Sequence, residues 1–142
     1  MTDLAFHRAY LADAVAAAQA APLSRRKALL AALLIDAQVD RRFAAGGLTD
    51  DILEFRATLA AASPALKLVF DLCAQRAGGA QLVLEAVTVP IADYGGLGVE
   101  DFMVSLYNNH SVQRLLLVGS DGERHDMMAT LRDALTALDA LA

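Results

Sequence analysis

The residue pair best placed to do chemistry is Asp36 and Asp40, four residues apart in a strongly helical stretch. This spacing projects both carboxylates from one side of a helix, within its apolar sector. An unpaired charge in such a position is costly, so each carboxylate needs a partner. Either Arg8 or Arg56 could donate to the pair, or the two carboxylates could hold a divalent metal ion. We expect both aspartates to be at least partly buried and bonded to an arginine from the first or third helix.

His7 is the histidine that could complete a metal site with Asp36 and Asp40. Helical metal sites add further ligands at fixed spacing, as in Glu-x-x-His, and this sequence has no such motif. A single histidine at the edge of an apolar stripe more often donates to a carbonyl or carboxylate of the protein. The sequence therefore predicts no cofactor and no metal, with His7, Asp36 and Asp40 as the alternative ligand set.

The strongest candidate for a ligand site is the loop at residues 93–101, which combines flexible backbone, a phenol and three carboxylates. Its alternative is a plain surface loop in which these residues cap and turn the chain. We interpret the loop as a possible binding site and assign no catalytic residue. The candidate ligand-binding residues are Asp93, Tyr94, Gly96, Glu100 and Asp101.

Two other chemically suggestive features have better structural explanations. Cys73 falls in the apolar stripe of a helix, where burial raises the pKa of a thiol and suppresses its reactivity. The segment from Gly119 to Gly122 follows a strand, as phosphate loops do, but lacks both the GxGxxG spacing and the Walker lysine. We predict an inert cysteine and an ordinary turn.

Composition limits the partners. The 142 residues carry 12 basic and 17 acidic side chains, a net charge of −5 that disfavours nucleic acid. Apolar residues make up 56% of the chain, yet no run approaches the roughly 20 residues of a membrane span. The amino-terminal residues do not have the pattern of a signal peptide, and the single cysteine allows no internal disulfide. We expect a cytoplasmic protein that contacts neither nucleic acid nor membrane.

The elements that must position these residues change character near Gly78-Gly79. Residues before this point are rich in alanine and leucine, and cap and breaker residues divide them into four helices. The predicted helices are Asp3 to Ala21 with Thr2 or Asp3 as N-cap, Ser24 to Ala45, one opened by Thr49-Asp50-Asp51, and Ser63-Pro64 to Gly78-Gly79.

The second half has the composition of strands followed by one amphipathic helix. Gln81 to Val89 is apolar on nearly both faces, which predicts a central strand, and Val112 to Val118 predicts another. Val99 to Tyr107 fits a strand or a helix; we favour the strand. Asp126 is predicted to cap the last helix.

Together these elements predict an α+β fold in one domain, residues 1–142. The four helices, about 2–78, pack on an antiparallel sheet of about three strands, and a C-terminal amphipathic helix completes the segment of about 80–142. The predicted core contains Leu33, Ile35, Leu59, Val69, Phe70, Leu84, Leu116, Leu131 and Leu138.

The absence of a catalytic motif and the excess of apolar positions favour a non-enzymatic domain that works by association. The expected partner is a second copy of the chain or another protein. The alternative is a protein that binds a small ligand or a metal, an enzyme included. Its site would be residues 93–101 or the set of His7, Asp36 and Asp40.

Overall fold

The computed structural model describes residues 2–46, 51–88 and 111–141. These residues confirm the α+β fold: four helices precede an antiparallel sheet, and an amphipathic helix ends the chain. The helices are α1 (Asp3–Ala20), α2 (Arg25–Ala45), α3 (Ile52–Ala62), α4 (Pro64–Cys73) and α5 (Met127–Asp139), and the strands are β1 (Gln81–Thr88), β2 (Ser111–Val118) and β3 (Arg124–Asp126).

Each helix begins where a short polar side chain can satisfy free backbone amides. The Thr2 hydroxyl accepts from the Ala5 amide, and Ser24 and Asp126 cap α2 and α5 in the same way. The remaining helices follow the same rule, with Asp51 capping α3 and Ser63 capping α4 ahead of Pro64. The predicted starts of the helices are therefore confirmed.

The predicted end of α4 at Gly78-Gly79 is wrong, because the helix ends at Cys73. Gln75 adopts a left-handed conformation with φ of 51°, and its amide donates to the Leu72 carbonyl. This is the usual way to close the last turn of a helix, although glycine is the commoner residue there. The backbone thus turns toward β1 several residues before the glycines.

The sheet has the order β1-β2-β3, with both pairs antiparallel. Gln81 pairs with Val118 and Thr88 with Ser111, which places β2 between the other two described strands. Among the described strands β1 pairs with β2, and the prediction that β1 is central stays a prediction, because residues 89–110 lie outside the described residues. The Gly119–Gly122 turn is confirmed and joins β2 to β3; Gly122 has φ of 82°, a conformation that favours glycine.

Strand β3 was not predicted, since three residues are too few to show an alternating pattern. The strand or helix expected at 99–107 lies outside the described residues. On β2, Leu115 and Leu117 join the helical core, while Val112 and Leu116 are buried on the opposite face.

Helix α5 lies between the helical layer and the sheet, in contact with α1, α2, α4, β2 and β3. Its buried residues include Met127, Leu131 and Ala134, which face a core shared with Leu11 of α1 and Ile35 of α2. Among the described residues, no helix is both long and apolar enough to cross a bilayer.

Most of the predicted core is confirmed, with Phe70 only half-buried, but two of its leucines are not core residues. Leu33 is 39% exposed and Leu84 is 38% exposed. Helix α2 buries Ala28, Ala31 and Ala32 instead, so that small residues set the packing distance and Leu33 is left outward. Leu84 lies near the middle of β1, where its side chain stays partly exposed.

Candidate functional site

Arg56 of α3 binds both aspartates of α2. Its Nη1 donates to Asp36 Oδ1 at 2.8 Å, and its Nη2 donates to Asp40 Oδ1 at 2.8 Å and to the Asp36 carbonyl at 3.0 Å. The guanidinium also lies over the Phe70 ring, 4.8 Å from its centroid. Burial lowers the pKa of Arg56, but the hydrogen bonds with Asp40 and Asp36 outweigh it and leave that pKa raised. The predicted ion pair is present, with Arg56 as its donor.

The contacts of Arg56 hold three helices together, which is a structural role. Arg56 comes from α3, the two carboxylates from α2 and Phe70 from α4, so one side chain links all three. Asp36 is partly buried as expected, whereas the Asp40 side chain is 58% exposed. A metal ion bound by these carboxylates would have to displace the guanidinium from both.

Arg8 does not pair with the aspartates of α2. Its guanidinium forms a bidentate ion pair with Asp139 of α5, with both N–O distances at 2.8 Å. The hydrogen bond from Arg8 lowers the pKa of Asp139 and, in turn, raises the pKa of Arg8. Of the two arginines predicted as partners, Arg56 therefore pairs with the aspartates of α2, whereas Arg8 pairs with Asp139 of α5.

His7 is buried and has a neutral partner. Its Nδ1 lies 2.5 Å from Gln38 Oε1, between α1 and α2. His7 bonds Gln38 while Asp36 and Asp40 bond Arg56, so the alternative metal set is divided between two separate polar contacts. Nowhere in residues 2–46, 51–88 and 111–141 do three or more histidine, cysteine, aspartate or glutamate side chains form a group that could hold a metal ion.

Cys73 is half-buried at the end of α4. Burial, together with the negative charge of Asp36, raises the pKa of the thiol to about 12, although Arg56 acts in the opposite direction. At neutral pH the thiol is protonated and a poor nucleophile. The prediction of an inert cysteine agrees with this environment.

The loop at residues 93–101 was the leading ligand candidate from the sequence. Its five named residues, Asp93, Tyr94, Gly96, Glu100 and Asp101, lie outside the described residues, and the binding role stays a prediction.

The structure reveals an exposed apolar surface that the sequence analysis missed. Phe6 and Tyr10, four residues apart, lie on one side of α1 and are 51% and 63% exposed. Leu30 and Leu33 form a similar exposed pair on α2. The sequence contains the signal, since Phe6 and Tyr10 fall outside the apolar stripe that Leu4, Leu11 and Val15 form at helical spacing.

These two exposed pairs come from helices that pack directly against each other. Asp3 shares the face of Phe6 and Tyr10 by helical spacing, and Arg41 shares the face of Leu30. The Arg41 guanidinium bonds the Asp3 carboxylate, which brings the two faces together at one end of the antiparallel α1–α2 pair. We call the patch formed by Phe6, Tyr10, Leu30 and Leu33 the hairpin surface.

Comparison of the chain with protein-family models, with curated proteins and with solved structures finds no match.

Proposed function

We propose that this protein is a non-enzymatic domain that works by association with a second copy of itself through the hairpin surface. The observation that carries the proposal is the concentration of exposed large apolar side chains there. Of seven such side chains among the described residues, four belong to this surface, and the others are scattered over different elements. Single exposed leucines are ordinary, whereas contiguous apolar patches typically mark interaction sites.

The hairpin surface is suited to an isologous contact. Two antiparallel α1–α2 pairs that meet across a two-fold axis form a four-helix arrangement, a common way to bury apolar helix faces. Tyr10 is a favourable anchor because it supplies a large contact area with little loss of rotamer entropy. Asp3 and Arg41 border the patch with opposite charges, so the surface is compatible with its own mate.

The non-enzymatic part of the proposal rests on four chemically suggestive side chains that the structure describes. Asp36 and Asp40 accept hydrogen bonds from Arg56, His7 is hydrogen-bonded to Gln38, and burial keeps the Cys73 thiol protonated. The net charge of −5 disfavours a nucleic-acid partner.

Sedimentation velocity across a micromolar concentration range tests the self-association. We expect the wild-type chain of 15.0 kDa to approach twice that mass, and Tyr10→Ser or Leu30→Ser to weaken the dimer roughly tenfold or more. Leu53→Ser on α3 is the matched control, because Leu53 is 73% exposed and lies outside the hairpin surface.

A wild-type chain that stays monomeric at the highest concentration would contradict the proposal. So would a dimer that Leu53→Ser weakens as much as Tyr10→Ser does. Circular dichroism of each variant separates a lost contact from a lost fold.

A further inference from the structure

A groove of about 600 Å³ lies between the start of α2, the end of α4 and the start of β1. Its apolar lining consists of Leu29, Leu72, Ala80 and Leu82, which come from all three of these elements or the segments next to them. The polar lining is Arg25, Arg26, Arg76 and Gln75. Among the described residues that line it, the groove therefore combines apolar side chains with three guanidinium groups and no carboxylate.

The three arginines have little internal compensation. Arg25 and Arg26 make no ion pair within residues 2–46, 51–88 and 111–141. Arg76 lies 3.8 Å from Asp71, at the limit of an ion pair, with its side chain 74% exposed. By contrast, Arg8, Arg41, Arg56 and Arg124 each bond a carboxylate at short range.

This concentration of charge is unusual in an acidic chain. Like charges in one groove repel each other, and the chain as a whole has five more acidic than basic side chains. The first turn of α2 contains no acidic residue, although cations there oppose the helix dipole. Among the described residues, only the long contact between Arg76 and Asp71 offsets part of these costs, and a bound anion would relieve the rest.

We propose that this groove binds a small amphipathic anion, a molecule with an apolar chain or ring and a carboxylate. The three guanidinium groups would bond the carboxylate, since arginine presents paired N–H donors that match its two oxygens. Leu29, Leu72 and Leu82 would pack against the apolar part. The volume is within the range of small-molecule sites, and the union of apolar walls with a few polar groups is their usual composition.

The proposal requires both halves of the ligand, and this requirement defines the probes. Decanoate, kept below its micelle-forming concentration, supplies the chain and the carboxylate. Acetate supplies the charge without the chain, and decyltrimethylammonium supplies the chain with the opposite charge. Isothermal titration calorimetry should give saturable binding for decanoate alone, weakened by added salt because screening reduces the ionic part.

Variants locate the site. Arg26→Gln and Arg76→Gln should each weaken decanoate binding roughly fivefold, in keeping with one solvent-exposed ionic contact. Arg132→Gln on α5 is the matched control, since Arg132 is also exposed and lies outside the groove. Leu82→Ser should weaken binding without changing the charge of the groove.

Amide chemical shifts of the wild-type chain provide a second measurement that does not depend on variants. Decanoate should shift the amides of Leu29, Gln75, Ala80 and Leu82 more than those of the hairpin surface. The proposal is overturned if decanoate does not bind, if acetate or decyltrimethylammonium binds equally well, or if Arg132→Gln has the same effect as Arg26→Gln. Each of these results is independent of whether the protein dimerises.

Discussion

The inner and outer faces of the α1–α2 pair differ in how far their apolar side chains are buried. On the inner face, Leu11 and Ile35 are fully buried, and His7 bonds Gln38. On the outer face, Phe6 and Leu33 are exposed, although phenylalanine and leucine are as apolar as the leucine and isoleucine inside. Apolar character alone therefore does not decide which face is the core. The fully buried Ala28, Ala31 and Ala32 mark the inner side of α2, because small residues allow neighbouring helices to approach closely.

The sharpest test of this difference compares two neighbouring residues of α2. Ile35→Ala should destabilise the protein by about 2–5 kcal/mol, because it leaves a cavity in a closed core. Leu33→Ala should cost less than about 1 kcal/mol, since the side chain is already largely in water. Urea unfolding followed by circular dichroism measures both. Equal losses would mean that the outer face of α2 is buried as deeply as the inner one.

A second test concerns the border between the two faces, where Arg56 bonds Asp36 and Asp40. Arg56→Ala should lower the free energy of unfolding by about 2 kcal/mol, because it leaves the partly buried carboxylate of Asp36 without its partner and removes the contact with Phe70. Arg26→Ala is the matched control and should change stability by less than about 0.5 kcal/mol, as Arg26 is exposed and makes no ion pair among the described residues.

The same unfolding measurement extends to the acceptor. Asp36→Asn should be milder than Arg56→Ala, because an amide oxygen still accepts from the guanidinium. If Arg56→Ala proved as harmless as Arg26→Ala, the three-helix contact would contribute nothing to stability, and the border would behave like the outer face.

A further test uses the thiol of Cys73, which reports whether the end of α4 stays closed. With its pKa raised to about 12, native Cys73 should react with a thiol reagent at neutral pH on the order of a hundredfold more slowly than the unfolded chain. Cys73→Ala supplies the background signal. A native chain that reacts as fast as the unfolded one would show that the end of α4 opens freely.

The raised pKa also predicts a pH dependence. The unfolded thiol ionises near its ordinary value of 9.0, whereas the folded thiol holds its proton to about 12. The folded state therefore binds more protons in that interval, so the thiol's contribution to stability is present below pH 9 and is lost as pH rises toward 12. Unfolding of wild type and Cys73→Ala should converge across this range.

The sequence by itself determined the features that depend on neighbouring residues. Thr2, Ser24 and Asp126 cap helices because each hydroxyl or carboxylate reaches an amide only three positions away. The Gly119–Gly122 turn follows from local backbone freedom in the same way. Such contacts join residues a few positions apart, so the sequence alone is sufficient to predict them.

Only the tertiary structure decided which of several equivalent residues is used. Asp36 could have met Arg8 or Arg56, and the choice depends on Asp139, more than a hundred residues away, which binds Arg8. Leu33 and Ile35 are equally apolar in the sequence, and only the close packing of the alanines of α2 turns one outward and the other inward. A helix that is apolar on nearly every side has no preferred inner face until its neighbours are in place.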